Sequence, residues 1–161
     1  MKRSLGKLAA SAAIVGVAAV LGGLASRAAP DFYASLQQPS WAPPSSVFGP
    51  VWTALYVMMA IALWRVWTTD GAPGRNRAIG LFLAQLVLNA LWSWLFFAWH
   101  RGGAAMLDIG LMWVLIVATI VSFARIDRIA AWLMAPYLAW VSFAAALNWA
   151  VWQANPALLG G

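Results

Sequence analysis

Amide and hydroxyl side chains recur along one apolar stretch at the spacing of a helical face. Gln85, Asn89 and Ser93 follow one another at intervals of four residues, flanked by Trp92 and Phe96. Residues so spaced lie on one side of an α-helix. Polar groups in hydrocarbon need hydrogen-bond partners, so we expect this stripe to face the interior of a helix bundle. There it either ties helices together or lines a cavity, and both interpretations stay open.

Aromatic side chains form comparable stripes in two other stretches. Trp52 and Tyr56 share one helical face, and Trp140, Ala144 and Asn148 share another. Aromatic walls, a small residue that leaves space and a few amides suit a flat apolar ligand with polar edges. The alternative is that the tryptophans are anchors at the membrane interface. We assign to that interfacial group the tryptophans near the ends of apolar stretches: Trp64, Trp67, Trp99 and Trp152.

Two further ionisable residues are candidates for chemistry. Asp108 is the only acidic residue inside a predicted span, which makes it a functional candidate. Its shallow depth favours a structural role, with headgroup water or Arg101 as its partner. His100 is the only histidine and could bind haem iron. Its place in a connector favours an ordinary surface position.

The elements that hold these residues are predicted by length and composition. The chain has 161 residues, of which 64% are hydrophobic and 9% charged, and its mean hydropathy is +0.80. A membrane-spanning helix needs about 20 apolar residues. We therefore predict an all-α integral membrane bundle of five transmembrane helices, forming a single domain of residues 1–161. The predicted spans are 5–25, 47–67, 78–99, 104–124 and 129–152.

The segments around the first span carry two separate predictions. A basic start, an apolar run and small residues near residue 25 resemble a cleavable secretory signal, but the run is longer than the usual signal core, so we favour a retained helix. The connector 26–46 contains four prolines and three aromatic residues. Proline restricts the open chain and aromatic rings offer apolar area, so we predict a lid packed on the helix ends.

Basic residues are unequally divided between the two sides of the predicted bundle. Eight of the ten lie at the N-terminus and in the second and fourth connectors, and only Arg27 and Arg101 lie on the other side. The positive-inside rule then predicts a cytoplasmic N-terminus and an outer C-terminus. Because the cations are spread between apolar runs, we predict the lipid bilayer as the partner surface and no nucleic acid.

Conventional catalytic constellations are missing from the sequence. It contains no cysteine, no glycine-rich phosphate loop and no pair of carboxylates in the predicted spans. We therefore expect no metal site and no obligatory cofactor, and we do not expect a conventional enzyme.

Four motifs in order resemble the tryptophan-rich sensory protein family, also called the translocator protein or peripheral-type benzodiazepine receptor family. Residues 39–44 read Pro-Ser-Trp-Ala-Pro-Pro and residues 48–56 read Phe-Gly-Pro-Val-Trp-Thr-Ala-Leu-Tyr. Residues 84–93 read Ala-Gln-Leu-Val-Leu-Asn-Ala-Leu-Trp-Ser, and Pro-Tyr-Leu-Ala-Trp begins at residue 136. The resemblance extends over residues 32–152.

The resemblance implies a five-helix bundle, commonly a homodimer, with a pocket under the first connector. The implied ligands are porphyrins or haem and other flat apolar molecules, including benzodiazepine-like compounds and, in animal relatives, sterols. Some bacterial relatives degrade protoporphyrin in light, and Trp52 and Trp140 match the tryptophans linked to that activity. The implied ligand-binding residues are Tyr33, Trp41, Trp52, Tyr56, Asn89, Trp92, Ser93, Phe96, Trp140, Ala144 and Asn148.

Two departures from the family pattern limit what is carried over. The first connector has Ser40 and Trp41 where relatives often have two tryptophans. The animal sterol motif requires a Lys or Arg shortly after this tyrosine, and none follows Tyr137. The resulting hypothesis is a membrane protein that binds tetrapyrrole-type ligands within the bundle as a sensor or carrier. Light-dependent porphyrin breakdown is the alternative.

Overall fold

The computed structural model describes residues 2–160, and for Lys2 and Arg3 it describes the backbone. Met1 and Gly161 of the predicted domain lie outside the described residues, as do the Lys2 and Arg3 side chains used in the charge count. Residues 2–160 contain helices and no strand, which confirms the all-α prediction. In chain order the helices are α1 (Lys2–Ala25), α2 (Ala29–Ser35), a 3-10 turn (Ser45–Val47), α3 (Phe48–Thr68), α4 (Arg75–Ser93), a π-helical turn (Trp94–Ala98), α5 (Gly102–Ala124), α6 (Arg128–Ala154) and α7 (Pro156–Leu159).

Five segments among the described residues are long and apolar enough to cross a membrane. This confirms the predicted five-span integral membrane protein. Their ends differ from the predicted ends by up to three residues because polar residues enter the terminal turns, as Arg75 and Arg77 do in α4. The spans are Ser4–Ala25, Ser45–Thr68, Arg75–Ala98, Gly102–Ala124 and Arg128–Ala154.

The five long helices close into a ring. The first, α1, packs against both α3 and α4, while α6 packs against both α3 and α5. The pair of α4 and α5 completes the order α1–α3–α6–α5–α4. Consequently α6, the fifth span, lies between the second and fourth spans and contributes buried residues to the core.

Local sequence features begin and end these helices. Asp127 caps α6, since its carboxylate accepts a hydrogen bond from the Ala130 backbone N–H at 3.0 Å. Pro30 lies in the first turn of α2, where a missing N–H costs little. Gly74 precedes α4 with φ at 77°, a left-handed conformation that glycine adopts without strain.

The connector between α1 and α3 packs across one end of the ring, which we call the α2 end. Tyr33 and Leu36 of this connector are buried in a cluster with Phe96, Leu147 and Leu159. The other end of the ring, where α3 meets α4 and α5 meets α6, we call the opposite end. Residues of the predicted lid therefore contact three different parts of the chain at the α2 end.

Candidate functional site

A cavity of about 560 Å³ lies beneath α2, in the half of the bundle near the α2 end. Four of the long helices contribute to its wall: α1, α3, α4 and α6. The 3-10 turn before α3 and residues of α2 cover it from the end. The ring order explains this position, because α3 and α4 each adjoin α1 and α3 also adjoins α6.

Seven of the eleven predicted binding residues line this cavity. They come from three different spans and the connector, so the fold brings together side chains that are far apart in sequence. The seven are Tyr33, Trp52, Tyr56, Trp92, Ser93, Trp140 and Ala144.

The other four predicted residues lie outside the cavity wall. Asn89 and Asn148 are buried behind it, where each accepts a hydrogen bond from an aromatic side chain of the wall. Phe96 is buried in the cluster under the connector and stacks on Trp92 with ring centroids 5.3 Å apart. Trp41 is 49% exposed and packs edge-on against Phe143 rather than facing the cavity.

Aromatic packing fixes the orientation of the wall. Trp52 and Tyr56 are one helical turn apart on α3 and stack with centroids 5.5 Å apart and planes at 30°. On the facing helix, Trp140 meets the ring of Phe48 edge-on at 5.9 Å. Such contacts hold large rings in defined rotamers. The indole faces are therefore presented as surfaces rather than as mobile side chains.

Hydrogen bonds behind the wall hold its polar edges. The Trp92 Nε1 donates to Asn148 Oδ1 at 3.1 Å, and Asn148 Nδ2 donates to the Gly102 carbonyl at 3.2 Å. The Tyr56 hydroxyl donates to Asn89 Oδ1 at 2.7 Å. By contrast, the Trp140 Nε1 is buried without a partner among the described residues.

The connector is tied down at several points. The Tyr33 hydroxyl donates to the Pro43 carbonyl at 3.2 Å, and burial raises the pKa of Tyr33 above its ordinary value, so the hydroxyl remains a donor. Asn155, just after α6, accepts from the Gln37 N–H at 2.8 Å and donates to the Gln37 carbonyl at 2.9 Å. These two bonds tie the connector at Gln37 to the end of α6.

Residues of α1 form a side of the cavity that sequence reasoning did not identify. Ala19, Gly22 and Gly23 line it, and a Cβ placed on Gly22 would come 3.3 Å from Ser93 Oγ. A signal is visible in the sequence: Ala12, Gly16, Ala19 and Gly23 form a row of small residues along the first span, a spacing that suits close helix packing. Small residues serve that purpose at Gly22, where α1 closely approaches α4, and also leave room for the cavity.

Of the two partners predicted for Asp108, Arg101 is wrong. Its side chain is 5% exposed and faces the bundle interior, and among residues 2–160 it forms no ion pair with Arg101, which is exposed. The start of α5 is covered by Trp152, whose ring lies 2.6 Å from the position of a Cβ on Gly102. His100 is exposed, as predicted, and its ring stacks on Phe32 at 4.0 Å.

Comparisons with known proteins agree with this architecture. A family profile described as the TspO/MBR family matches residues 10–153, which include all five spans in large part. The chain belongs to the TspO/MBR family. It is 44% identical over 126 residues to the tryptophan-rich protein TspO of Chlorobaculum tepidum, covering 78% of this chain and 80% of that protein.

Relatives in this family range from bacteria to mammals. The chain is 39% identical over 132 residues to the human translocator protein, covering 81% of this chain and 78% of the relative. It is 35% identical over 125 residues to the tryptophan-rich sensory protein of Cereibacter sphaeroides, covering 78% and 77%. The predicted resemblance is thereby confirmed, and the chain is a multi-pass membrane protein of this family.

Proposed function

We propose that the chain binds a flat, largely apolar ligand of the tetrapyrrole class in the cavity and acts as its sensor or carrier. The observation that carries the proposal is the convergence of Trp52, Trp92 and Trp140 on one cavity of about 560 Å³. Small-molecule sites are typically about 300–1,000 Å³ and mostly apolar. Indole faces stack well on flat conjugated rings, so the wall suits porphyrin or haem.

The polar groups of the cavity support a ligand with polar edges. The unpartnered Trp140 Nε1 would donate to an acceptor such as a carbonyl or carboxylate oxygen. The Ser93 hydroxyl lines the same space and can donate or accept. Sterols and benzodiazepine-like compounds are competing ligands of the same cavity, since they too are flat and mainly apolar.

The names of the relatives agree with two ways of using such a site. One relative is called a tryptophan-rich sensory protein and another a translocator protein. Both roles begin with reversible binding. Binding is therefore the step to test first.

Titration with protoporphyrin IX tests the proposal. Saturable quenching of tryptophan emission and a shift of the porphyrin absorption band are expected. In the Trp52→Ala, Trp140→Ala double variant we expect the affinity to fall at least about tenfold, because two stacking surfaces are lost. Trp132→Ala is the matched control on α6, since Trp132 is 76% exposed and lies away from the cavity. An unchanged absorption titration in the double variant would contradict the proposal.

Light-dependent porphyrin breakdown is the second candidate function. It is favoured by the placement of Trp52, stacked on Tyr56, and Trp140 around one cavity, because electron-rich rings beside a photoexcited porphyrin can donate electrons to it. The test is the porphyrin spectrum under illumination. Breakdown no faster than with the Trp52→Phe, Trp140→Phe variant would exclude these indoles as the reactive groups.

A homodimer and a cytoplasmic N-terminus are two further proposals. Gly80 and Ala84 form an exposed small-residue strip on α4 that suits close packing of a second copy in lipid. Crosslinking in lipid nanodiscs, with Gly80→Leu as the disrupting variant, tests the dimer.

The orientation can be tested by cysteine labelling. Because the chain lacks cysteine, single cysteines placed at the exposed positions Asn76 and Gln38 can be labelled in intact cells with a reagent that does not cross the membrane. We expect outside labelling at Gln38→Cys alone.

A further inference from the structure

A continuous chain of hydrogen bonds leads from the cavity wall into the bundle. The Tyr56 hydroxyl donates to Asn89 Oδ1 at 2.7 Å, and Asn89 Nδ2 donates to the Tyr137 hydroxyl at 3.0 Å. Tyr137 in turn donates to Gln85 Oε1 at 2.9 Å. Every donor in the chain points away from the cavity. The oxygen of Tyr56 therefore offers only its acceptor side to a ligand.

The inner end of this chain has two unpaired polar atoms. Gln85 Nε2 is a buried donor without a partner, and Asp108 Oδ2 is a buried acceptor without a partner, among the described residues. Leaving such groups unpaired is costly. The Gln85 donor lacks an acceptor and the Asp108 acceptor lacks a donor, so the two groups are complementary.

The helices bring these two atoms to one cluster. Asp108 is one turn before Met112 on the same face of α5, and Met112 Sδ lies 3.4 Å from the Tyr137 hydroxyl. Gln85 reaches that same hydroxyl from α4. Asp108 and Gln85 thus belong to one buried region around Tyr137, where they do not bond to each other directly and a bridging water molecule would satisfy both.

We propose that Asp108 is a proton-binding site that is coupled to the cavity through this chain and decides whether Tyr56 presents an acceptor or a donor to the ligand. This inference rests on the proposed binding of a ligand in the cavity. It adds a specificity device to that site: the ligand group recognised at Tyr56 depends on whether Asp108 holds a proton.

The two states differ by one proton, taken from solvent and kept on Asp108. Ionised Asp108 accepts from Gln85 Nε2 through the bridging water molecule, and the chain has the polarity described above. Protonated Asp108 donates through that water molecule to Gln85 Oε1, which requires the Gln85 and Asn89 amides to turn over. The hydroxyl hydrogens of Tyr137 and Tyr56 then reverse direction, and Tyr56 donates into the cavity. Because amides turn by rotation, no proton passes along the chain.

The surroundings leave Asp108 as the single carboxyl of this cluster. On α6 the titratable side chain that faces it is Tyr137, and α4 presents the neutral amides Gln85 and Asn89, with its arginines confined to the first turn at the opposite end. The π-helical turn contributes apolar and aromatic residues. At the start of α5, Arg101 is exposed, as is the neighbouring His100.

Two flat, non-titrating probes of matched shape test the coupling. Fluorenone carries a carbonyl acceptor where carbazole carries an N–H donor. Their affinities are measured with the full chain in nanodiscs from about pH 5 to about pH 9, a range that includes the titration of imidazole groups and of buried carboxyl groups. On acidification we expect fluorenone to bind about fivefold more tightly and carbazole about fivefold more weakly, the effect of one hydrogen bond.

Variants identify the group responsible. Asp108→Asn and Tyr56→Phe should each abolish both pH responses. Asp31→Asn removes an exposed carboxyl and His100→Gln an exposed imidazole, and both variants should keep the responses. Parallel responses of the two probes, or opposite responses that survive in Asp108→Asn, would overturn the proposal. If Asp108→Asn does not fold, as judged by circular dichroism, Tyr56→Phe decides the same question.

An infrared measurement separates failure of this inference from failure of the binding function. Acidifying the protein without any probe should produce the C=O stretching band of a protonated carboxyl, and this band should be missing in Asp108→Asn. Absence of that band in the wild type would overturn the proton site. If neither probe binds but the band is present and depends on Asp108, then the coupling to ligand is refuted together with the binding function while the proton site stands.

Discussion

The two ends of the bundle are built differently. At the opposite end, large apolar side chains fill the ring completely, with Leu63, Phe82, Phe123 and Met134 all at 0% exposure. At the α2 end, small residues and tryptophan walls surround a cavity of about 560 Å³. The comparison indicates that close packing in one half provides the stability that allows the other half to remain hollow.

Ion pairs reinforce the same contrast. At the opposite end Arg65 Nη2 lies 2.8 Å from Asp127 Oδ2, and Asp70 lies 3.1 Å from Lys7 and 2.9 Å from Arg75. The hydrogen bond from Lys7, together with Arg75, lowers the pKa of Asp70. The α2 end is held by amide and hydroxyl contacts instead. Changes at the two ends should therefore have separable effects on stability and binding.

The largest effect on stability is expected from Phe82→Ala. This ring is fully buried and stacks on Phe123 with centroids 5.9 Å apart, so its removal leaves a cavity in the filled half. A loss of about 3–5 kcal/mol in the free energy of unfolding is expected. Thermal unfolding in detergent measures it, with Leu107→Ala, at an exposed position, as the control. A loss below that of the control would contradict the contrast between the ends.

Filling the hollow half should affect binding rather than stability. Ala144 is buried at the cavity wall, so Ala144→Phe places a ring in the ligand space. We expect porphyrin affinity to fall at least about tenfold while the unfolding temperature stays the same or rises. Ala146→Phe, two residues away and exposed, is the matched control. Equal affinities of the two variants would show that the cavity is not the binding site.

Acid should weaken the opposite end through Asp127. Burial of Asp127 works against the charged form, but the Ala130 N–H and Arg65 outweigh it, so the pKa of Asp127 is lowered in the folded protein. A carboxyl whose folded-state pKa is below its unfolded value stabilises the fold at neutral pH, and this contribution is lost as pH falls through the lowered pKa.

Asp127→Asn keeps the helix cap but removes the charge. We expect it to cost about 1 kcal/mol at neutral pH and to reduce the acid dependence of the unfolding temperature. Asp31→Asn, at an exposed position of α2, should leave that dependence unchanged. An acid dependence as steep in Asp127→Asn as in the wild type would refute the assignment.

The smallest effect on global stability is expected from Asn155→Ala. The change removes both bonds to Gln37 and so releases the connector locally. Hydrogen–deuterium exchange should rise in the connector and stay unchanged at Leu63 and Phe82 in the filled half. The porphyrin should also dissociate faster. Exchange that rises equally in both halves would mean that Asn155 supports the whole bundle.

Much of the fold follows from sequence because apolar length and helical spacing are local properties. The five spans and the inward-facing Gln85 and Asn89 were predicted on this basis. Both interpretations of that stripe apply, each to different residues. Gln85 and Asn89 bond to neighbouring helices, while Ser93 lines the cavity.

What the sequence did not indicate depends on which helices are neighbours. Spacing identifies residues that share a face but not the partner of that face, so the role of Gly22 beside Ser93 was missed. The burial of Asp108 was missed for the same reason, since spacing alone does not show which helices enclose its side chain. Trp41 was placed in the pocket from family resemblance, but its ring packs on Phe143.

The pairing of Gln37 with Asn155 has a consequence for how the protein is made. These residues are 118 positions apart, and Asn155 follows the last span. During synthesis the connector emerges long before its partner exists, and Trp140 has not yet completed the wall. The nascent chain therefore carries an unclosed site until residue 155 has been synthesised. A ribosome-bound chain ending before residue 155 should be more sensitive to protease in the connector than the released protein.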